Sequence, residues 1–149
     1  MSASLTLATP EHLERLGALV AAFHTEIELT TLEQTRQAAL APLCNGIPHG
    51  SAYLIGPTRA PIGYIILTFG WSVEFGGLDG FIDELYIRPN VRGRGIATEV
   101  LLALPLALAE VGLRALHLEV RTDDQKAQRL YGKCGFQMRQ DYHLMTRSF

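Results

Sequence analysis

The stretch FIDELYIRPNVRGRGIAT, residues 81–98, decides how this chain should fold. Its first seven residues form an apolar run typical of a strand. Arg88-Pro89 ends that run, because proline cannot donate the next hydrogen bond of a sheet. Helical spacing of apolar residues begins at Gly95. The glycines and arginines of residues 92–95 therefore lie between a strand and the start of a helix.

A glycine-rich turn that leads into a helix is suited to bind an anion. The first N–H groups of a helix have no partner inside it, and they lie at the positive end of the helix dipole. Glycine also lets the backbone approach a ligand without a clashing Cβ. We therefore predict a phosphate or pyrophosphate site over residues 92–98.

Other interpretations of this turn fit less well. A P-loop would close on Gly-Lys-Ser/Thr, whereas Ile96 and Ala97 follow Gly95. A dinucleotide-binding fingerprint would need glycine where the chain has Thr98, together with several parallel βαβ units. A plain strand-to-helix turn with surface arginines remains the structural alternative.

The rest of the sequence predicts a mixed α/β (α+β) fold. Strands are predicted over residues 4–9, 51–56, 62–70, 81–87 and 115–120, with one or two more in residues 136–149. Helices are predicted from Thr9-Pro10-Glu11, from Thr30 or Thr31 to about Leu43, from Gly95 to about Val111, and from a cap at Thr122 or Asp123 to Gly135. This order predicts a mixed, mostly antiparallel sheet of six or seven strands, with about four helices on both faces. Pro105 should kink the third helix at a cost of about 3 kcal/mol.

Composition narrows the class of protein. The 149 residues fit one domain, 1–149, and the net charge of −2 argues against a nucleic-acid partner. The most apolar stretch, residues 100–113, is too short to span a membrane, and the N-terminus lacks the features of a signal peptide. Two cysteines make no disulfide framework, and His24, His117 and His143 form no metal-binding spacing. These features predict a cytoplasmic protein without a metal.

Two motifs in the right order resemble the GNAT superfamily of acyl-CoA-dependent N-acyltransferases. RGRGIA, residues 92–97, matches that family's Q/R-x-x-G-x-G/A signature. LEVRTDDQKAQRLYGKCGF, residues 118–136, resembles its strand, its N-x-x-A-x-x-L-Y helix and its closing K-x-G-F. The resemblance covers essentially the whole chain. One departure is Asp124, where the family commonly has asparagine; an aspartate accepts a hydrogen bond from a pantetheine amide but cannot donate one.

The resemblance implies acetyl-CoA as co-substrate and assigns residues to it. The backbone of Leu85, Tyr86 and Ile87 would bond the pantetheine arm as an added strand does, and an N–H there would polarise the thioester carbonyl. Asp124 would contact pantetheine as well. The pyrophosphate would be held by Arg92, Gly93, Arg94, Gly95, Ile96, Ala97 and Thr98.

The resemblance also implies the catalytic groups. Tyr131 matches the tyrosine that protonates the departing thiolate in the family. The alternative is that Tyr131 is a core residue on the apolar stripe of its helix. Glu84 or Asp83 would accept the proton of the amine, and adjacent strand positions should point these two to opposite faces. Glu119 and Glu74 are less favoured bases. The alternative is that Asp83 and Glu84 are structural partners of the loop arginines.

The acceptor is expected to be a primary amine of a small molecule or peptide, which attacks the thioester directly in a ternary complex. A mildly acidic pocket with an aromatic wall would suit it, from Glu26, Trp71, Glu74 and Phe75. A catalytically silent acyl-CoA-sensing or partner-binding module is the alternative function. A homodimer is compatible with either.

Overall fold

The computed structural model describes residues 3–149, which contain one sheet and four α-helices. The strands are β1 (Leu5–Leu7), β2 (Gly50–Ile55), β3 (Gly63–Ser72), β4 (Gly77–Ile87) and β5 (Ala115–Leu118). The helices are α1 (Leu13–Glu26), α2 (Glu33–Cys44), α3 (Ile96–Glu110) and α4 (Gln125–Lys133). The chain divides into two compact units, one that ends at Glu119 and one from Val120 to Phe149.

The sheet has the order β1-β2-β3-β4-β5. The first four strands are antiparallel neighbours, and β5 pairs with β4 in parallel. The predicted mixed, mostly antiparallel sheet is therefore confirmed. The predicted count of six or seven strands was too high, because residues 136–149 form no strand. Met138, Tyr142 and Met145 are all largely exposed there, so this segment does not bury these apolar side chains as a sheet strand would.

One face of the sheet packs against α1 and α2. Leu54 of β2, Tyr64 and Ile66 of β3 and Tyr86 of β4 form a buried cluster with Leu16, Leu19, Val20 and Leu40 of the two helices. Cross-strand partners share a face, so Leu54 opposite Tyr64 and Tyr64 opposite Tyr86 explain why these positions meet. We call this the helical face of the sheet.

The opposite face is buried too. Ile65, Leu67 and Ile82 are at most 6% exposed, yet they lie outside the cluster of the helical face. Helix α3 of the same unit supplies the matching apolar stripe, with Val100, Leu101 and Leu104 buried. The sheet therefore carries helices on both faces, as predicted. Helix α3 runs continuously through Pro105, so the proline does not end it. Within residues 3–149, no helix combines the length and the apolar character needed to cross a membrane.

A β-bulge at Asp83 divides β4. Ile66 pairs with Glu84 and the next residue, Leu67, pairs with Ile82, so Asp83 is skipped in the register. Glu84 consequently lies on the helical face with Ile66, while Ile82 lies on the opposite face with Leu67. Regular alternation would put residues 82 and 84 on the same face. The predicted opposite orientation of Asp83 and Glu84 rested on that alternation, which the bulge interrupts, so it stays a prediction.

Two predicted helix starts were wrong, for a common reason. Leu32 rather than Thr30 or Thr31 precedes α2, since the Thr31 hydroxyl is bonded to His24 and Arg36 instead. Asp124 rather than Thr122 or Asp123 caps α4, because Asp123 pairs with Arg121. In both places a side chain taken for a cap has a tertiary or local partner.

Candidate active site

The turn before α3 has the conformation that its glycines allow. Gly93 and Gly95 adopt φ of +78° and +77°, a region that residues with a Cβ rarely occupy. A Cβ built on either glycine meets nothing within 4 Å. The glycines are therefore needed for the backbone path and leave open space in front of it.

The amides beyond Arg92 are the ones available to a ligand. The Val91 and Arg92 N–H groups donate to the carbonyls of Arg88 and Pro89 in a short 3-10 turn. Within residues 3–149, no backbone carbonyl outside α3 accepts from the amides of residues 93–98. Since the first helical N–H groups have no acceptor inside the helix, this row of donors faces outward at the positive end of α3.

Arg92 is committed to the protein rather than free in the turn. Its Nε donates to the Ile87 carbonyl at 2.8 Å, and its Nη2 donates to both carboxylate oxygens of Glu26 at 2.7 and 2.9 Å. The guanidinium also lies over the Tyr86 ring, 5.6 Å from its centroid. Glu26, predicted to contact the acceptor, is thus the partner of an arginine predicted to contact pyrophosphate. Arg94 is exposed.

The end of β4 presents a backbone edge. Pairing between β4 and β5 stops at Ile82 opposite Leu118, whereas pairing between β4 and β3 continues to Ile87. Leu85, Tyr86 and Ile87 therefore pair with β3 only, and their other edge has no strand beside it within the described residues. An extended ligand could add to this edge as a strand does.

Glu84 is the centre of a hydrogen-bond network on the helical face. Its Oε1 accepts from the Tyr64 hydroxyl at 2.8 Å, and its Oε2 lies 2.6 Å from Nε2 of His24. The other ring nitrogen of His24, Nδ1, lies 2.8 Å from Oγ1 of Thr31. Arg36 Nη1 in turn donates to Thr31 Oγ1 at 3.1 Å. Helices α1 and α2 and strands β3 and β4 all contribute to this cluster, which we call the Glu84 network.

Burial keeps the Tyr64 hydroxyl of the Glu84 network protonated, so that it can donate to Glu84. The pKa of Tyr64 is raised strongly, first by burial and then by the negative charge of Glu84, so its hydroxyl remains a donor. The side chains of His24 and Glu84 are only 12% and 17% exposed. A short contact between an imidazole and a carboxylate in such a place is a strong hydrogen bond.

Asp83 belongs to the same electrostatic neighbourhood. Its pKa is raised by partial loss of hydration and by the charges of Glu84 and Glu119, and the nearby His24 opposes this shift. The charge of Asp83 also raises the pKa of Tyr64. The bulge thus brings a second carboxylate close to the Glu84 network, and this carboxylate holds its proton more readily than an ordinary aspartate does.

A second polar cluster lies toward the other end of β4. His117 Nε2 lies 3.1 Å from Asp79 Oδ2, and the rings of Phe75 and Phe81 flank the imidazole at 5.5 and 6.1 Å. Phe81, Asp79 and His117 line a cavity of about 220 Å³. Phe75, predicted to bind the acceptor, contacts this cluster, while Glu74 lies beside it in the exposed β3–β4 turn.

Trp71 does not share that face. It pairs with Leu78, one position away from Asp79, and strand neighbours alternate between faces. Its side chain is 77% exposed. The sequence suggested one acidic and aromatic pocket, but the structure brings Phe75 together with Asp79 and His117 and leaves Trp71 on the opposite face.

The second unit carries the remaining predicted residues. The Asp124 carboxylate accepts from the Ala127 N–H at 3.0 Å and so caps α4, which engages one of the oxygens expected to contact pantetheine. Tyr131 stacks edge-on against Phe136 at 6.1 Å. Burial and then the charge of Asp124 raise the Tyr131 pKa, so its hydroxyl stays protonated at neutral pH.

Sequence reasoning missed His24, Tyr64 and Thr31. His24 occupies a helix position next to Phe23, and Tyr64 lies within the apolar run of β3, where an aromatic residue is expected for packing. The one available signal was Glu84 itself, since a charge inside an apolar strand needs buried partners. Nothing in the local sequence identifies which residues those partners are.

The comparisons with known proteins agree with this architecture. The model of the Acetyltransferase (GNAT) family matches residues 14–136. A search of curated protein sequences finds no match.

Solved structures with this fold include the integron cassette protein HFX_CASS3 from the mobile metagenome of Cole Harbour Salt Marsh. It is 28% identical, with a TM-score of 0.82 over 97% of this chain and 89% of that one. The ribosomal-protein-alanine N-acetyltransferase of Brucella melitensis biovar Abortus 2308 is 17% identical, with a TM-score of 0.75 over 99% of each chain. The aminoglycoside N-acetyltransferase AAC(6')-Iy in complex with CoA is 15% identical, with a TM-score of 0.81 over 98% of this chain and 94% of that one. At these two lower identities the likeness concerns the fold. With the family model spanning most of its length, the chain belongs to the GNAT acetyltransferase family.

Proposed function

We propose that this protein transfers an acetyl group from acetyl-CoA to a primary amine of a small molecule or peptide, by direct attack in a ternary complex. The observation that carries the proposal is the course of one strand. β4 holds the Glu84 network, then presents an unpaired edge at Leu85–Ile87, and is followed by the open turn of Gly93 and Gly95. A proton acceptor, a backbone docking edge and an anion site thus follow one another along the chain.

Acetyl-CoA would use the edge and the turn together. The amides from Gly93 to Thr98 would hold the pyrophosphate, together with the exposed side chain of Arg94. Arg92 would mainly fix the turn to α1, because its side chain already bonds Glu26 and the Ile87 carbonyl. The pantetheine arm would pair with Leu85–Ile87, where a backbone N–H can polarise the thioester carbonyl.

The proton transfers would be divided between two places. The amine reaches the site mostly protonated, so a base must take its proton before attack. Glu84 is the favoured group, since it lies beside the docking edge on the helical face, and Asp83 is its alternative. Tyr131 would protonate the leaving thiolate; its raised pKa keeps that proton available.

The acceptor would lie along the helical face beside β4. Asp79 and Phe75 offer a carboxylate and an aromatic surface for a cationic amine, and His117 accompanies them. The names of two structural relatives, an alanine N-acetyltransferase and an aminoglycoside N-acetyltransferase, support an amine acceptor without choosing between a peptide and a small molecule. Residues 1–149 would act as one domain, in line with a family match that crosses the division at Glu119.

A panel of amines tests the proposal. CoA release from acetyl-CoA is measured with polyamines, amino acids, aminoglycosides and peptides with free N-termini, against the rate of hydrolysis without amine. At least one amine should raise the rate well above hydrolysis, and mass spectrometry should find the acetyl group on that amine. Absence of turnover with every class, combined with retained acetyl-CoA binding, would favour the silent acyl-CoA-sensing module. The engaged carboxylate of Asp124 is the feature that favours this second candidate.

Two further parts of the proposal concern the protein in solution. A cytoplasmic location agrees with the free thiols of Cys44 and Cys134. A homodimer is tested by sedimentation at micromolar protein, where a single species of monomer mass would contradict it.

A further inference from the structure

His24 lies at the centre of a chain of three hydrogen-bonding groups. Thr31 Oγ1 contacts Nδ1 at 2.8 Å, and Nε2 contacts Glu84 Oε2 at 2.6 Å. The three residues come from the loop between α1 and α2, from α1 itself and from β4. A hydroxyl, an imidazole and a carboxylate in this order form the arrangement by which serine hydrolases move a proton.

The chain accepts His24 in either protonation state. A neutral imidazole can donate Nε2–H to Glu84 and accept from the Thr31 hydroxyl, since that oxygen can either donate or accept. A protonated imidazole donates at both nitrogens, and only the Thr31 hydroxyl hydrogen has to rotate. No partner changes between the two states, so uptake of a proton at Nδ1 requires almost no reorganisation.

Neighbouring charges determine how an added proton on His24 would be stabilised. Glu84 is the direct counter-ion of an imidazolium, and Asp83 adds negative charge from the bulge. Tyr64 is neutral and donates to the remaining oxygen of Glu84. Arg36 opposes the positive charge of His24 from α2, although its hydrogen bonds to Thr31 also hold that hydroxyl against the imidazole.

Glu84 alone is less suited to hold the proton. One of its oxygens accepts from the Tyr64 hydroxyl and the other lies against the imidazole, so a proton from the amine would have to compete with these contacts. His24 differs, because its Nδ1 contacts a hydroxyl that can relay a proton, while Glu84 lies 2.6 Å from its Nε2 as a counter-ion. The imidazole is also the group whose ordinary pKa lies nearest neutral pH.

We infer that the base of the reaction is the Thr31–His24–Glu84 chain, in which the proton of the acceptor amine passes through the Thr31 hydroxyl to Nδ1 of His24. This inference rests on the proposed function but replaces Glu84 by His24 as the group that takes up the proton, with Glu84 as the counter-ion. The N–H bond of the ammonium breaks as an O–H bond forms on Thr31. The original O–H bond of Thr31 breaks as an N–H bond forms at Nδ1 of His24, and Glu84 stays ionised as the counter-ion. After acetyl transfer, His24 returns the proton to solvent.

The first test compares His24→Gln with His49→Gln in the amine panel assay. Glutamine can still donate to Glu84, but it cannot take up a proton; His49 is an exposed histidine and serves as the matched control. At about pH 6.5, kcat of H24Q should fall by a factor on the order of 10². The loss should shrink as the pH rises, because solvent then deprotonates the amine. Acetyl-CoA affinity should stay unchanged, and H49Q should match the wild type throughout.

A double substitution separates the chain from its parts. If His24 and Glu84 act as one unit, H24Q combined with Glu84→Gln should lose little more activity than H24Q alone. Multiplied losses in the double variant, or an H24Q variant with the wild-type pH profile of kcat, would overturn the inference and leave a single carboxylate as the base.

Histidine ¹⁵N NMR of the wild type gives a readout that does not depend on turnover. One imidazole should keep a proton on Nε2 across the titration while its Nδ1 gains one on acidification, and H24Q assigns that signal when it folds. If no histidine signal of the protein behaves in this way, the inference is overturned. If no amine is turned over, the proposed function fails separately, and the NMR titration still decides whether His24 takes up the proton.

Discussion

The two halves of the candidate site are built in different ways. The turn proposed to bind the anion is made of consecutive residues, and it would act through backbone amides and two glycines in a left-handed conformation. The Glu84 network is made of side chains from α1, the α1–α2 loop, α2, β3 and β4, up to 60 residues apart. A backbone site can be recognised in a short motif, whereas a side-chain site exists only once the tertiary structure has formed.

This difference predicts how substitutions should behave. A change in the turn should act on cofactor binding, and a change in the catalytic groups should act on rate and its pH dependence with the cofactor still bound. Each prediction below tests that division, beginning with the largest expected effect.

Gly95→Val should abolish measurable acetyl-CoA binding. A left-handed φ costs a residue with a Cβ about 1–3 kcal/mol, and the valine side chain would occupy the open space in front of the amides. Gly112→Val is the matched control, since Gly112 has φ of +111° beyond the other end of α3 and its Cβ also meets nothing. Both substitutions should lower the Tm, but calorimetry should show loss of acetyl-CoA binding only in G95V. Equal affinities in the two variants would show that the turn is not the anion site.

Tyr131→Phe should lower kcat by about 100-fold, the common size of a general acid's contribution, and should leave the Kd for acetyl-CoA nearly unchanged. The phenylalanine ring retains the edge-on contact with Phe136. Single-turnover kinetics are the measurement, because they isolate the chemical step. A wild-type rate in Y131F, with chemistry limiting, would make Tyr131 a packing residue of α4.

Asp83→Asn should move the pH profile more than the maximal rate. The negative charge of Asp83 lies close to the Glu84 network, so its removal should shift the acid limb of kcat to lower pH. The raised pKa of Asp83 sets the direction of the pH dependence that is expected if Asp83 is the base instead. If Asp83 is itself the base, the rate is lost as pH falls through that raised pKa, and D83N should then be severely impaired at low pH and partly recover at high pH. Profiles of kcat over pH decide between these outcomes.

Glu26→Gln should have the smallest effect. It releases Arg92 from an exposed ion pair, a type of contact that contributes at most about 1 kcal/mol. The freed guanidinium and the lost negative charge should tighten acetyl-CoA binding, by less than about fivefold. Glu14→Gln removes the same charge from an exposed position of α1 and should not change the Kd. Weaker binding in E26Q would mean that Glu26 holds Arg92 where the pyrophosphate needs it.

The sequence predicted the fold and the glycine turn before α3 better than the side-chain partners of Glu84. The order of helices and strands follows from periodicity, and the turn at Gly93 and Gly95 follows from a motif with a local physical cause. The missing closing strands illustrate one limit, since residues 136–149 alternate in sequence but expose their apolar side chains. A strand needs a partner, and local alternation does not supply one.

The bulge at Asp83 illustrates the other limit. Alternation along β4 correctly describes each half of the strand, but a single skipped residue changes the relation between the halves. His24 shows the same dependence, because only the packing of α1 on the sheet places it against Glu84. Side-chain sites of this kind depend on register and packing, which are set by the whole fold.

The bulge also has a consequence for the length of β4. Eleven residues of β4 lie opposite ten of β3, and the surplus residue comes immediately after Ile82, the last position that pairs with β5. A chain lacking Asp83 would keep Phe81, Ile82 and Glu84 on their present faces, since a regular strand alternates in the same way. It would lose only the extra twist that a bulge introduces at the point where β5 separates from β4. The bulge therefore lies between the part of β4 that pairs with β5 and the part, Leu85–Ile87, that pairs only with β3 among the described residues.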